Sequence, residues 1–398
     1  MKYLLAIVTI FILCNPVYSQ KKYKLDPDRE LAYCLGQVRK TLAEKQPYNK
    51  LPRRIAKGDT NWNYVGIEDW TSGFWPGTLW YAYAYTKDNN IKNAAAAYTN
   101  ALTPVLDEKA HDHDLGFMFY TSAGNAYRLT KGPVYKQTIL RASDSLALLF
   151  NPKVGTILSW PRMITQMGWP HNTIMDNMIN LEMLFWASKN GGNKNLYKIA
   201  EKHAETTMKN HFRPDWTSYH VAVYDDKTGK FIKGVTHQGY ADNSMWARGQ
   251  AWAIYGFTMS ARETGRKDFL ETARKTADVY IKNLPADFVP YWDFNDPKIP
   301  DSPKDASAAA IVASALLELS TLVKDTKVAQ HYRAAAEKML ESLASSAYKR
   351  AELNHAFLMH STGHHPNGTE IDVSINYADY YYIEALTRLK NLRSGKSI

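Results

Sequence analysis

Residues 244–283, SMWARGQAWAIYGFTMSARETGRKDFLETARKTADVYIKN, read as two helices of opposite character joined by a short turn. In 244–264, Trp252, Tyr255 and Met259 leave the helix apolar on most sides, as a helix packed on all sides requires. In 267–283, Arg274, Lys275 and Asp278 mark a solvated face. The pattern recurs outward in both directions, with helices predicted over 27–44, 75–86, 91–106, 115–129, 133–149 and 176–189. Further helices are predicted over 194–210, 306–322, 327–345 and 377–389. Twelve helices, six inner and six outer, make an all-α (α/α)6 barrel. A superhelical repeat array would need a fixed-period repeat, which this chain lacks.

No Gly/Ser/Pro-rich linker interrupts residues 20–398, which therefore read as one domain. Segments 219–224 and 230–235, separated by Asp225-Asp226-Lys227-Thr228-Gly229, read as a small β-hairpin at the cavity mouth. The rest of the rim is expected from long loops before Trp70, around 160–172, after Pro285 and at 360–372.

Residues 1–19 carry one lysine, an apolar run from Tyr3 to Leu13 and the small-residue pattern Val17-Tyr18-Ser19, the signature of a secretory signal peptide. The mature protein is expected to be exported, to the periplasm. Leu13 before Cys14 is bulkier than a lipoprotein site takes, so a soluble product is favoured over a lipid-anchored one. Without the leader the charge is 48 basic minus 39 acidic residues, +9. That balance suits either a polyanionic glycan or simple solubility, and in an exported protein it points away from nucleic acid. Cys34 is the one mature cysteine, so no intramolecular disulfide forms. No later apolar run is long enough to span a membrane.

Four polar stretches lie at starts of presumed inner helices or on the hairpin. In 68–77, Trp70 and Trp75 suit a sugar-stacking wall or the core equally. In His111-Asp112-His113-Asp114, the His-x-His pair invites a metal reading, but no further ligand spacing supports one. Asp114 reads better as a site carboxylate, with His113 orienting it or the substrate. The third stretch joins Tyr219-His220 with His237-Gln238. The fourth, 246–252, puts Arg248 and Trp252 on one helix face, a guanidinium beside an indole that would take a carboxylate bidentately. Asp176 follows Pro170-His171-Asn172-Thr173 and heads the helix 176–189, where capping alone would explain an acid. Asp114 and Asp176 together are the expected acid/base pair, one kept protonated by the other's charge. A helix N-terminus lowers a carboxyl's pKa, so Asp114 is expected to hold the proton on Asp176 against the dipole.

The ordered motifs DWTSGFWPG, HDHDLGF, IMDNMINL, SYH, HQGYADNSMWARGQAW and DVSINYADYYYIEAL resemble the unsaturated glucuronyl hydrolases of glycoside hydrolase family 88, from about Asp69 to the end. The resemblance implies an (α/α)6 barrel, no cofactor or metal, and a substrate that is an anionic oligosaccharide ending in a 4,5-unsaturated uronate, as polysaccharide lyases leave. It implies that Asp176 protonates C4 and then helps activate water, while Asp114 contacts sugar hydroxyls and tunes Asp176. By the same resemblance His220, Gln238 and Arg248 surround the uronate carboxylate and the water, and Trp70, Trp246 and Trp252 wall the pocket. Members that prefer sulfated fragments carry a Ser/Ser/Lys set; here Ser361 is kept, His364 takes the second Ser place and Pro366 the Lys place. That departure weakens a 6-sulfated galactosamine preference and leaves His364 or His365 to touch an anionic group. The alternatives are a rhamnogalacturonyl-type hydrolase, a barrel epimerase using a histidine pair, and a glycan-binding protein that consumes nothing. The number of subunits is left open.

Overall fold

The computed structural model describes residues 25–110, 112–349 and 352–398; the expected signal peptide and His111 lie outside them. In chain order the helices are α1 (Pro27–Ala43), α2 (Phe74–Thr86), α3 (Asn89–Ala101), α4 (Asn125–Thr130), α5 (Pro133–Ala147), α6 (Met163–Gln166) and α7 (Leu181–Lys189). They continue with α8 (Asn195–Asn210), α9 (Ala247–Thr264), α10 (Lys267–Lys282), α11 (Ala306–Leu322), α12 (Thr326–Leu343) and α13 (Asn376–Arg393). A π-helical stretch, Gly116–Gly124, runs into α4, and a 3-10 turn, Met175–Asn180, runs into α7.

The inner ring closes: α2 packs on the π stretch, that on α7, and then α7 on α9, α9 on α11, α11 on α13 and α13 back on α2. Each inner member has its outer partner, α3, α5, α8, α10, α12 and α1 in turn. The chain is therefore an (α/α)6 barrel, and burial follows the layers. Residues 247–261 of α9 are all buried, whereas α10 buries the stripe Phe269, Thr272, Ala273, Thr276, Ala277 and Tyr280. The stripe follows helical spacing, so α10 covers α9 with one face and gives the other to water.

Several boundaries differ from the sequence expectation. The helix expected over 115–129 begins as π-helix, and the one expected over 176–189 begins as a 3-10 turn. The helix expected over 91–106 stops at Ala101 and continues as the 3-10 turn Thr103–Asp107. The hairpin forms as Val221–Tyr224 against Phe231–Val235, and His171–Ile174 adds an unforeseen third strand. One face of this sheet buries Ile174, Val221, Val223 and Val235 against Trp160, Met163 and Trp169. A second sheet, Asn63–Val65, Leu51–Ile55 and Ser374–Ile375, sits beside the start of α13. Among the described residues no helix is long and apolar enough to cross a membrane.

Two glycines set how closely the 3-10 turn approaches its neighbours. A Cβ on Gly256 of α9 would lie 2.4 Å from Met178 Cβ, and one on Gly116 would lie 2.5 Å from Asn180 Cα. Any side chain at either place would push the turn that carries Asp176. Gly256→Ala is expected to destabilise the protein by about 1–3 kcal/mol, the cost of overpacking a filled core, in urea denaturation. Activity should fall further than the stability loss accounts for, because the turn is displaced.

Candidate active site

Asp176 lies on the 3-10 turn, just after the strand that ends at Ile174, and its side chain reaches the cavity inside the inner ring. His220 Nε2 stands 3.6 Å from Asp176 Oδ2. His220 Nδ1 accepts backbone N–H bonds from His237 and Gln238, each at 3.2 Å. An Nδ1 that accepts twice leaves the ring proton on Nε2, facing Asp176. Burial, helped by the charges of His237 and Arg248, holds His220 well below its usual pKa, so the ring is neutral.

Asp114 has the same surroundings. His113 Nε2 lies 3.6 Å from Asp114 Oδ1. Asn180 Oδ1 accepts the Phe117 N–H at 3.1 Å, which turns its amide nitrogen to His113 Nδ1 at 3.0 Å. The His113 proton is therefore also on Nε2, and burial pushes this ring down to about 4. Each site carboxyl thus faces the Nε2–H of a neutral, locked histidine.

Burial pushes Asp176 up to about 7, against the Arg248 charge, its own backbone N–H and the Trp252 indole N–H, which lower it. Burial raises Asp114 well above the carboxyl range, with the charges of Asp112 and Asp176 adding to it. The expectation that Asp114 holds the proton on Asp176 is corrected here: loss of water does so, because the ring closes around the carboxyl. Arg248 fails to reverse this because its charge is engaged elsewhere. Its Nη1 donates to Asp305 Oδ2 at 3.0 Å and to the Thr362 carbonyl at 2.5 Å, and its Nη2 to the Gly363 carbonyl at 2.5 Å. Three of the five N–H groups of the guanidinium expected to take a substrate carboxylate are thus spent within the protein, and it lies over Trp246 at 4.5 Å.

The cavity holds about 380 Å³. Of the residues expected from sequence, Trp70, His113, Asp114, Asp176, Gln238, Arg248 and His364 line it. His220, Trp246, Trp252 and Ser361 sit a layer behind, all buried. Trp252 packs on Phe117 and Tyr381, with ring centres 5.2 and 5.4 Å away, beneath Asp176. The loop 160–172 supplies Trp160 and Arg162 to the rim, whereas the segment after Pro285 props the rim from outside. There Trp292 stacks on His365 at 4.1 Å. Asp112 of the histidine stretch lines it too, as do Trp160, Arg162 and Glu370 of the loops expected at the rim, whereas sequence reading named Arg53, Arg54 and Tyr377 in no site role. Tyr377 was within reach of the same logic, since it opens the last inner helix. Arg53 and Arg54 were not, because their strand shows no alternating pattern. Among the described residues no group of three or more His, Cys, Asp or Glu side chains is arranged to hold a metal ion.

A closed helical ring around a sugar-sized cavity with two buried carboxyls, both raised above the ordinary carboxyl pKa, has the makings of a glycoside hydrolase. The sequence profile of glycosyl hydrolase family 88 matches residues 37–395, and the chain belongs to that family. It is 43% identical to an unsaturated glucuronyl hydrolase of Formosa agariphila over 86% of each chain. It is 35% identical to one from Bacillus sp. strain GL1, over 86% of this chain and 91% of that one. The crystal structure of an unsaturated glucuronyl hydrolase specific for heparin superposes with a TM-score of 0.86 at 42% identity, covering 92% of this chain and 98% of the other.

These protonation states carry expected outcomes. The folded protein holds the Asp176 proton up to about pH 7, while the unfolded chain releases it near the ordinary 3.8. The folded state therefore binds the extra proton between those values, and stability from this group falls as pH rises through that window, by up to about 4 kcal/mol. Asp176→Asn should abolish that fall in denaturation series from pH 4 to 8. If Asp176 works as an acid, activity should decline above about pH 7 in the wild type, and Asp114→Asn should lower the rate while leaving that alkaline limb in place.

Proposed function

We propose that the protein hydrolyses oligosaccharides ending in a 4,5-unsaturated uronic acid, by hydration of the ring double bond. The observation that carries this reading is the Asp176 carboxyl, buried in a sugar-sized cavity and protonated up to about pH 7. An enol ether needs one positioned proton donor, because its ring oxygen already stabilises the cation that follows. Asp176 gives its proton to C4, and positive charge appears at C5 and the ring oxygen. The carboxylate left behind faces the His220 Nε2–H at 3.6 Å, and it takes a proton from the water that adds at C5. The resulting hemiketal opens by breaking the bond from C5 to the ring oxygen, and the freed hemiacetal at C1 releases the next sugar as an alcohol. The net change is one water consumed.

Asp114, also favoured in its neutral form, is assigned to hydrogen-bond sugar hydroxyls, with Trp70 as the stacking wall and Gln238 and His364 at the rim. A histidine-pair epimerase is disfavoured by His220, whose Nδ1 is spent on two backbone amides and whose ring burial keeps neutral. Export to the periplasm is part of the proposal and rests on the leader-like residues 1–19. There the protein would meet fragments released by polysaccharide lyases.

The test is incubation with unsaturated disaccharides made by lyases from hyaluronan, chondroitin, heparin, ulvan and pectin, following the absorbance of the conjugated double bond. That absorbance should decay with at least one of them, and Asp176→Asn should slow the decay by roughly 10²–10⁴-fold, the usual worth of a general acid. Intact ligand recovered from all five after long incubation would refute the proposal. Full turnover by Asp176→Asn would refute the assignment of the acid.

A further inference from the structure

The cavity wall carries two adjacent arginines, which an ordinary strand would send to opposite faces. In Leu51–Ile55 the pairing slips between Pro52, opposite Tyr64, and Arg54, opposite Asn63. That bulge lets both guanidinium groups line the same cavity. Their charges fare differently. Arg53 Nη1 donates to Asp69 Oδ1 at 2.7 Å, and its Nε and Nη2 grip the two oxygens of Glu370 at 3.0 and 3.2 Å. Arg53 is thus a neutralised strut, lying 5.4 Å from the centre of the Trp70 ring. Arg54 is half-buried and makes no ion pair or side-chain hydrogen bond among the described residues.

The other arginines on the wall already have carboxylate partners. Arg248 pairs with Asp305, and Arg162 stands 3.6 Å from Asp112. Asp114 and Asp176 face neutral histidines in a dry floor. Among the described residues Arg54 is therefore the one arginine of the wall with no carboxylate in contact, and its side chain is suited to planar or tetrahedral oxyanions.

We propose that Arg54, turned into the cavity by the bulge, is a specificity residue that binds an anionic oxygen group of the substrate. This rests on the reading of the substrate as an unsaturated uronide. Two sources present that chemistry: the uronate's own carboxylate, and a sulfate on the neighbouring sugar. Because the contact is made equally in the bound substrate and in the transition state, its loss should appear in KM and leave kcat nearly unchanged.

The experiment measures kcat and KM for the wild type, Arg54→Gln and Arg54→Lys. Two unsaturated uronyl-glucosamine disaccharides are used, one N-acetylated without sulfate and one N-sulfated. Arg54→Gln should raise KM by about 10–100-fold, the range expected for a hydrogen bond to a charged group, with Arg54→Lys recovering part of it. A rise with both substrates assigns the carboxylate; a rise with the sulfated one alone assigns the sulfate. An unchanged KM with both overturns the proposal, as does a fall in kcat and melting temperature shared by both variants, which would mark Arg54 as structural. A wild type inactive on every unsaturated disaccharide would instead refute the underlying substrate reading, and this proposal with it.

Discussion

The site depends on a carboxyl group kept from water, beside an arginine whose charge is already engaged. Asp176 is 8% exposed, and Arg248, the cation whose charge acts on it, is already held by Asp305 and two carbonyls. Had Arg248 been unpaired, its charge would have favoured carboxylate and left the site without its proton. Asp305 also caps α11 by accepting from the Ser307 and Ala308 amides. One buried acid thereby anchors a helix and removes a charge from the site. The two histidines complete the arrangement. Each turns its Nε2–H toward an acid oxygen 3.6 Å away while its Nδ1 is fixed by amide groups, so neither competes for the proton.

That chemistry requires a frame that does not give. The inner ring is closed on itself, and Gly116 and Gly256 let the turn bearing Asp176 be clasped from both sides. At the opposite end of the barrel, Arg262 bridges Glu182 and Glu318, and Arg388 bridges Glu318 at 3.0 Å and Glu384 at 3.5 Å. These contacts tie α7, α9, α11 and α13 together. Removing one partner would strand a buried charge, which costs far more than an intact pair contributes. Chemistry sits at one end of the ring and the charged clamp at the other.

The layered fold was legible in the sequence because inner and outer helices differ in composition, as 244–264 and 267–283 do. Asp114 and Asp176 were legible because each follows a polar turn and precedes an apolar helical run. The π-helical and 3-10 starts of those helices were not. They arise where Gly116 meets Asn180 and Gly256 meets Met178, contacts between distant parts of the chain. Arg54 was hidden for a related reason: the bulge that turns it lies in a strand paired both with Asn63–Val65 and with Ser374–Ile375, more than 300 residues away. Least legible was the origin of the Asp176 proton. Neighbouring charges suggested Asp114, whereas burial decides it, and burial is a property of the closed ring.

The central claim is that Asp176 is a protonated acid at neutral pH because it is buried. Its direct test is isotope-edited infrared titration of the protein with 13C-labelled aspartate, taking the wild type minus Asp176→Asn from pH 4 to 9. The expected difference spectrum keeps a protonated carboxyl band to near pH 7 before the carboxylate band replaces it. A carboxylate band already complete by pH 5 would contradict the account.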